Sequence, residues 1–154
     1  MKKILIVFHS QEAGNTEHMA ELVARGCRQV RGVQVSLANT NKGRVNMRRL
    51  ESADGLALGT PDYFTYMAGG LKMFFDDATI AMWRGAKIKG KPCVTFGTHG
   101  GGSRGIRSVE SLAKHMGWEK VAPSVICQGR PKGEAAKQAV ALGKALARHV
   151  TAAS

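Results

Sequence analysis

Three short stretches hold residue types that could do chemistry. The first, FHSQEAGNTE at residues 8 to 17, gathers Ser10, Gln11, Glu12, Ala13, Gly14, Asn15 and Thr16 where an apolar run gives way to a helical pattern. Free backbone N–H groups and the helix dipole make such a helix start an anion site. Gly14 lets the backbone approach closely, Asn15 is placed to cap the helix, and the Ser10 and Thr16 hydroxyls can donate to phosphate oxygens. The same residues also spell an ordinary capped helix start, so the loop alone leaves both readings open. Glu12 conflicts with an anionic guest, and its side chain is expected to point outward, to solvent or to a Lys or Arg.

The second stretch, Thr60-Pro61-Asp62-Tyr63-Phe64-Thr65, joins turn residues to aromatics. Aromatics suit the packing of a flat ring, and equally the anchoring of a surface loop. In the third, Gly97-Thr98-His99-Gly100-Gly101-Gly102, glycines suit a backbone that must touch a ligand. His99 is the side chain there able to change charge near neutral pH; an exposed loop histidine is the plain alternative. His9 reads as a packing residue. Two better-known loop signatures fail on context. Gly85 to Pro92 mimics a P-loop, but Pro92 stands where a magnesium-holding hydroxyl belongs, and the segment precedes its strand. Gly100, Gly102 and Gly105 match G-x-G-x-x-G after a strand, yet Glu119 precedes the next strand instead of ending it, and the loop follows the fourth strand. His, Cys and acidic residues show no metal-ligand spacing, so no metal is expected.

The elements that must position these loops alternate along the chain. Apolar runs at 4–8, 33–37, 55–59, 91–97 and 121–127 read as strands. Between and after them, helical stripes run through Met19, Leu22, Val23 and Cys27, through Leu71, Phe74, Phe75 and Ala78, through Ile106, Val109 and Ala113, and through Val140, Gly143, Leu146 and Val150. Residues 39 to 49 are polar and basic, a loop with at most one helical turn. Strand–helix alternation implies a parallel sheet covered on both faces. Five strands with right-handed crossovers suit the order 2-1-3-4-5, a three-layer α/β/α single domain over residues 1–154. In such sheets ligands bind beyond the carboxyl ends of the strands, where the strand order reverses. All three unusual loops lie at such ends.

The 154 residues carry 23 basic and 11 acidic side chains, a net charge of +12. That field attracts acidic proteins, anionic lipid, nucleic acid or phosphorylated cofactors. No zinc-finger, KH or RRM pattern appears and no aromatics interleave with the basic residues, which argues against nucleic acid. No apolar run approaches the ~20 residues of a membrane span. The first apolar segment lacks a signal-peptide cleavage pattern, so a cytoplasmic location is expected. Cys27, Cys93 and Cys127 read as reduced core thiols.

Four segments together resemble the flavodoxin-like FMN-binding family, especially its short members related to NAD(P)H:quinone oxidoreductases. HSQEAGNTE resembles the S/T-x-T-G-N-T phosphate loop, LGTPDYFTYMAGGLKMFFDD the G-[ST]-P loop and its helix, GKPCVTFGTHGGG the segment beside the flavin ring, and VICQGRPKGEAAKQAVALGKALA the closing strand and helix. The resemblance implies FMN, with its phosphate on residues 10 to 16. Thr60 to Thr65 would flank the isoalloxazine, and Thr98, His99, Gly100 and Gly101 would approach its pyrimidine side, with Gly97 and Gly102 in the same cofactor-binding stretch. A cationic His99 there would raise the flavin potential or hydrogen-bond a quinone. The first loop is one residue longer than the family's usual form, and no glycine adjoins Asp62-Tyr63-Phe64. The implied function is electron transfer through FMN to a redox partner protein. The alternatives are two-electron quinone reduction with NAD(P)H, or a flavin-free interaction module. The charge implies acidic partners, in contrast to acidic flavodoxin carriers, and an oligomer is compatible with all three readings.

Overall fold

The computed structural model describes residues 1–152. The elements run β1 (Lys2–Phe8), α1 (Asn15–Arg28), β2 (Val33–Asn39), α2 (Met47–Ser52), β3 (Gly55–Pro61), α3 (Gly69–Trp83), β4 (Pro92–His99), α4 (Gly105–His115), β5 (Glu119–Lys120), β6 (Val125–Gln128) and α5 (Gly133–Ala152). The strands form one parallel sheet in the order β2-β1-β3-β4, with β5 and β6 both pairing β4 at the far edge. This is the 2-1-3-4-5 doubly wound arrangement, with its fifth lane split in two.

The split corrects the expected continuous strand over 121–127. The Val121 N–H still donates to Cys93 O at 2.9 Å. Pro123 follows, has no N–H to give, and ends the ladder there. Ser124 fills the gap with its side chain. Its hydroxyl shares a hydrogen bond with Thr95 on β4 and donates to Glu110 Oε2 on α4 at 2.8 Å, while the Lys120 ammonium pairs with the same carboxylate. The ladder resumes at Val125, opposite Phe96.

Period-two alternation sends neighbouring strand residues to opposite faces, and here both faces are apolar. Ile4, Ile6 and Phe8 meet α1 and α5, packing with Met19, Val23, Leu142, Leu146 and Val150. Leu5, Val7, Leu56 and Leu58 meet the other layer, with Leu50 of α2, Leu71, Phe74 and Phe75 of α3, and Val109 of α4. Each such large side chain contributes about 1.5–3 kcal/mol on leaving water, so the two layers hold the sheet from both sides. Trp118 closes the second layer against Phe74 and Phe75, its indole N–H donating to Ile88 O at 2.7 Å. Trp83, at the end of α3, is 78% exposed.

The helix that begins at the first loop is fixed by a close contact with α5. A Cβ built on Gly26 would stand 1.9 Å from Val140 O, and one on Gly143 1.9 Å from Val23 O. The two helices thus meet backbone to backbone, and the Cys27 thiol donates to Gly143 O at 3.3 Å. Among the described residues, no helix is long and apolar enough to cross a membrane.

Candidate functional site

The carboxyl ends of β1, β3 and β4 bring the three loops together around a cavity of about 230 Å³. It is lined by Ser10, Gln11, Ala13, Gly14, Asn15 and Thr16 from the first loop, and by Pro61, Asp62 and Tyr63 from the second. Thr98, His99 and Gly100 come from the third, and Gly129 from the turn after β6.

Between β1 and α1 the chain turns tightly, the Gly14 N–H donating to Gln11 O at 3.0 Å. Gly14 adopts a left-handed φ of 69°, and nothing stands within 4 Å of where its Cβ would be. It occupies the position before the helix, which makes Asn15 the first helical residue and leaves the helix without the expected Asn15 cap. Inside the helix, the Asn15 side chain is no longer placed to reach the N–H groups of the first turn. Ser10 takes that role, its Oγ accepting from the Glu17 N–H at 3.1 Å. The Ser10 hydroxyl proton stays available to an anion. Among the described residues the N–H groups of Asn15 and Thr16 meet no protein acceptor, which is the condition an anion site needs. Asn39, the last residue of β2, holds Ser10 from both sides: its Oδ1 accepts from the Ser10 N–H at 3.0 Å, and its Nδ2 donates to Ser10 O at 3.1 Å. Reading by motif passes over Asn39; its signal is a polar residue ending the strand next to the reversal point. Thr16 is buried, and its hydroxyl shares a 2.7 Å hydrogen bond with that of Thr98, tying the first loop to the third.

The second loop is braced by Asp62. One carboxylate oxygen accepts from the Thr65 N–H at 2.9 Å, the other from the Gly105 N–H at the start of α4 at 2.8 Å. Beyond it, Tyr63 and Tyr66 exchange both backbone hydrogen bonds, 2.9 and 3.1 Å, around a two-residue turn. Phe64 and Thr65 at its tip have φ of 58° and 63°. Positive φ at both central positions marks a twisted hairpin turn that Asn-Gly usually makes. In bulky or β-branched residues it stores about 1–3 kcal/mol of strain each. The Phe64 side chain at this tip is 100% exposed. Behind the hairpin His9 is buried. Its Nδ1 lies 2.9 Å from Thr40 Oγ1, and its ring meets Tyr63 edge-on at 6.3 Å. Burial pushes its pKa below the ordinary 6.5. The Tyr63 hydroxyl reaches back to Gln11 Oε1 at 3.1 Å, joining the second loop to the first.

In the third loop, His99 is half-buried and its Nδ1 is buried without a hydrogen-bond partner. A buried polar atom left unpaired costs roughly 1–3 kcal/mol, and this one sits in a residue of the cavity wall. Gly129, absent from the sequence reading, lines the cavity because its N–H donates to His99 O at 2.9 Å. Gln128 Nε2 likewise donates to Gly100 O at 3.0 Å. Glu12, Thr60, Phe64, Thr65, Gly97, Gly101 and Gly102 stand outside the lining. Glu12 is exposed, as its charge requires. Thr60 and Gly97 are buried beneath the loops, the Thr60 hydroxyl accepting from the Ala68 N–H at 3.0 Å.

Sites that enclose a small molecule run to roughly 300–1,000 Å³, so a guest larger than this cavity must extend past its rim, towards the hairpin. The wall includes Asn15 and Thr16, whose N–H groups are free, and His99, whose Nδ1 is unpaired. Its one carboxylate, on Asp62, is already satisfied on both oxygens. That donor set fits a phosphorylated, flat heterocycle.

The sequence matches the family model described as NADPH-dependent FMN reductase over residues 1–126. It is 36% identical over 101 residues to a flavodoxin of Aquifex aeolicus (strain VF5), covering 66% of this chain and 52% of that protein. It is 26% identical over 152 residues to the type A flavoprotein fprA of Rhodobacter capsulatus, covering 97% of this chain and 34% of that protein. The chain therefore spans about half the length of one of these relatives and about a third of the other. Among solved structures, a flavodoxin from the domain Archaea superposes with a TM-score of 0.85 at 23% identity, over 97% of this chain and 99% of that one.

Proposed function

This chain belongs to the NADPH-dependent FMN reductase family, on the flavodoxin-like fold, and from that premise we propose that it holds FMN non-covalently at the mouth of β1, β3 and β4 and passes electrons through it as a flavodoxin-type redox protein. The observation that carries this reading is the pair of free N–H groups at Asn15 and Thr16, in the same cavity lining as His99 with its unpaired Nδ1. Bound FMN supplies one- and two-electron redox chemistry that no protein side chain offers. The protein supplies position and field. Residues 10 to 16 take the phosphate, through the N–H groups of Asn15 and Thr16 and the Ser10 hydroxyl, with Glu12 turned to solvent. Pro61, Asp62 and Tyr63 bound one side of the ring, and Phe64 and Thr65 extend that side beyond the cavity. Thr98, His99 and Gly100 bound the opposite edge, with Gly101 and Gly102 beyond them and Thr60 and Gly97 supporting the strand ends below. The His99 imidazole gives a buried polar partner to the ring and, when it carries a proton, favours negative charge there.

Absorption spectra of the purified protein, before and after addition of FMN, test the proposal. A yellow protein, or uptake of FMN by the colourless one, supports it; a protein that takes up none overturns it.

A second reading, reduction of quinones with NAD(P)H, draws on the reductase description of the family and on the net charge of +12, a field that gathers nucleotide phosphates. Mixing FMN-loaded protein with NADPH and a quinone decides it. Sustained NADPH oxidation identifies the reductase. No turnover leaves exchange of electrons with a redox partner protein, an acidic one by charge.

A further inference from the structure

A phosphate carrying up to two negative charges meets neutral donors and a helix dipole in the first loop, but no cationic side chain. Residues 8 to 17 contain Glu12 and Glu17 and no Lys or Arg, and the cavity lining contains neither Lys nor Arg. The next cation along α1 is Arg25, nine residues past Thr16. At ~1.5 Å per residue it stands roughly 13 Å down the helix, beyond the ~8–10 Å over which exposed charges act in physiological salt.

One guanidinium does reach the first turn of α1. Gly129 takes a left-handed φ of 67° and reverses the chain after β6. The N–H of Gly129 and the side chain of Gln128 both anchor that reversal to the third loop. The next residue, Arg130, is thereby carried over α1, where its Nη2 lies 3.4 Å from His18 Nδ1. His18 is one turn from Asn15, on the helix whose first N–H groups are free. The contact occupies one N–H of a guanidinium that has five, and the others remain for an anion. Planar, permanently charged and weakly hydrated, an Arg side chain is well suited to a phosphate.

We propose that Arg130 is a specificity-determining residue for the phosphate of the flavin: it supplies the positive charge missing from the first loop and makes the site select FMN over the unphosphorylated riboflavin. This rests on the FMN reading and adds to it a residue from the opposite edge of the sheet.

Titration of the wild-type protein, Arg130→Gln and Arg130→Lys with FMN and with riboflavin, followed by absorption at several salt concentrations, tests the assignment. Arg84→Gln, on the far side of the molecule, controls for the general positive field. Arg130→Gln is expected to weaken FMN roughly tenfold or more, the factor of one charge-assisted contact, with riboflavin affinity unchanged. Its FMN affinity should also depend less steeply on salt, while Arg130→Lys keeps part of the preference and Arg84→Gln keeps all of it. Parallel weakening of both flavins would make Arg130 a merely structural residue and overturn the assignment. So would an unaltered FMN affinity. A wild-type protein that binds both flavins equally leaves the FMN reading standing and removes this one; a wild-type protein that binds neither removes both.

Discussion

His9 couples protonation to the fold at the base of the site. Burial holds its pKa below 6.5, so as the pH falls the unfolded chain takes up a proton before the folded one does. Its support is complete above about pH 6.5 and is withdrawn as the pH drops through its folded value. Denaturant midpoints should therefore fall on acidification from about pH 7 to 5. In His9→Gln, which keeps a polar partner for Thr40, that part of the decline should disappear. The role proposed for His99 concerns the ligand instead. His99→Ala should lower the midpoint potential of bound FMN, read by spectroelectrochemistry; a potential identical to the wild type removes His99 from the chemistry. The cysteines order themselves by burial, which pushes the Cys27 thiol up to about 12 and Cys93 up to about 11. Cys127 is only half-buried. Alkylation of the native protein near pH 8 should label Cys127 first and spare the other two, as peptide mass mapping would show.

At the scale of elements, two contacts set the geometry of the site, and they differ in how far they can be read from the chain. The α1–α5 contact depends on Gly26 and Gly143. Gly143 stands on the apolar stripe of α5, yet nothing in its spacing announces that it faces Gly26, since the two are 117 positions apart. Gly143→Ala forces a methyl group against the Val23 carbonyl and should cost about 1–3 kcal/mol or more in urea unfolding, shifting the helix that carries the first loop. The 63–66 hairpin is illegible for another reason. Such turns are recognised by Asn-Gly, and here Phe64-Thr65 adopts the same backbone under strain, held by Asp62 and the paired tyrosines. Replacing both residues, Phe64→Asn with Thr65→Gly, should relieve the strain and raise stability by about 1–3 kcal/mol while loosening flavin binding. The β5–β6 break was legible in principle, because Pro123 sits inside the run that read as one strand.

Over the whole molecule, the strand order was readable because the central strands β1, β3 and β4 are apolar on both faces and the long helices show a stripe; helices on two sides of a parallel sheet are the arrangement that buries it. The loops at the reversal point could be located from that order alone. Gly129 could not, since it joins the site through a tertiary contact to the third loop and carries no motif of its own, and Asn39 offers only a polar residue at the end of its strand. The global field is a separate matter. With a net charge of +12, association with FMN should slow as salt rises, measurable by stopped flow. Saturation with FMN at about 100 times its Kd should add about 2.7 kcal/mol to unfolding and raise the thermal midpoint accordingly.

The two tryptophans divide the molecule optically. Trp118 lies in a dry aromatic cluster with its N–H bonded to a carbonyl, and Trp83 stands in water. Their emission should separate into a blue component and a red one. Iodide, drawn in by the basic surface, should quench only the red component. A Trp83→Phe protein would then carry a single lamp inside the α3–α4 layer, reporting the loosening of that layer while the α1–α5 side stays dark.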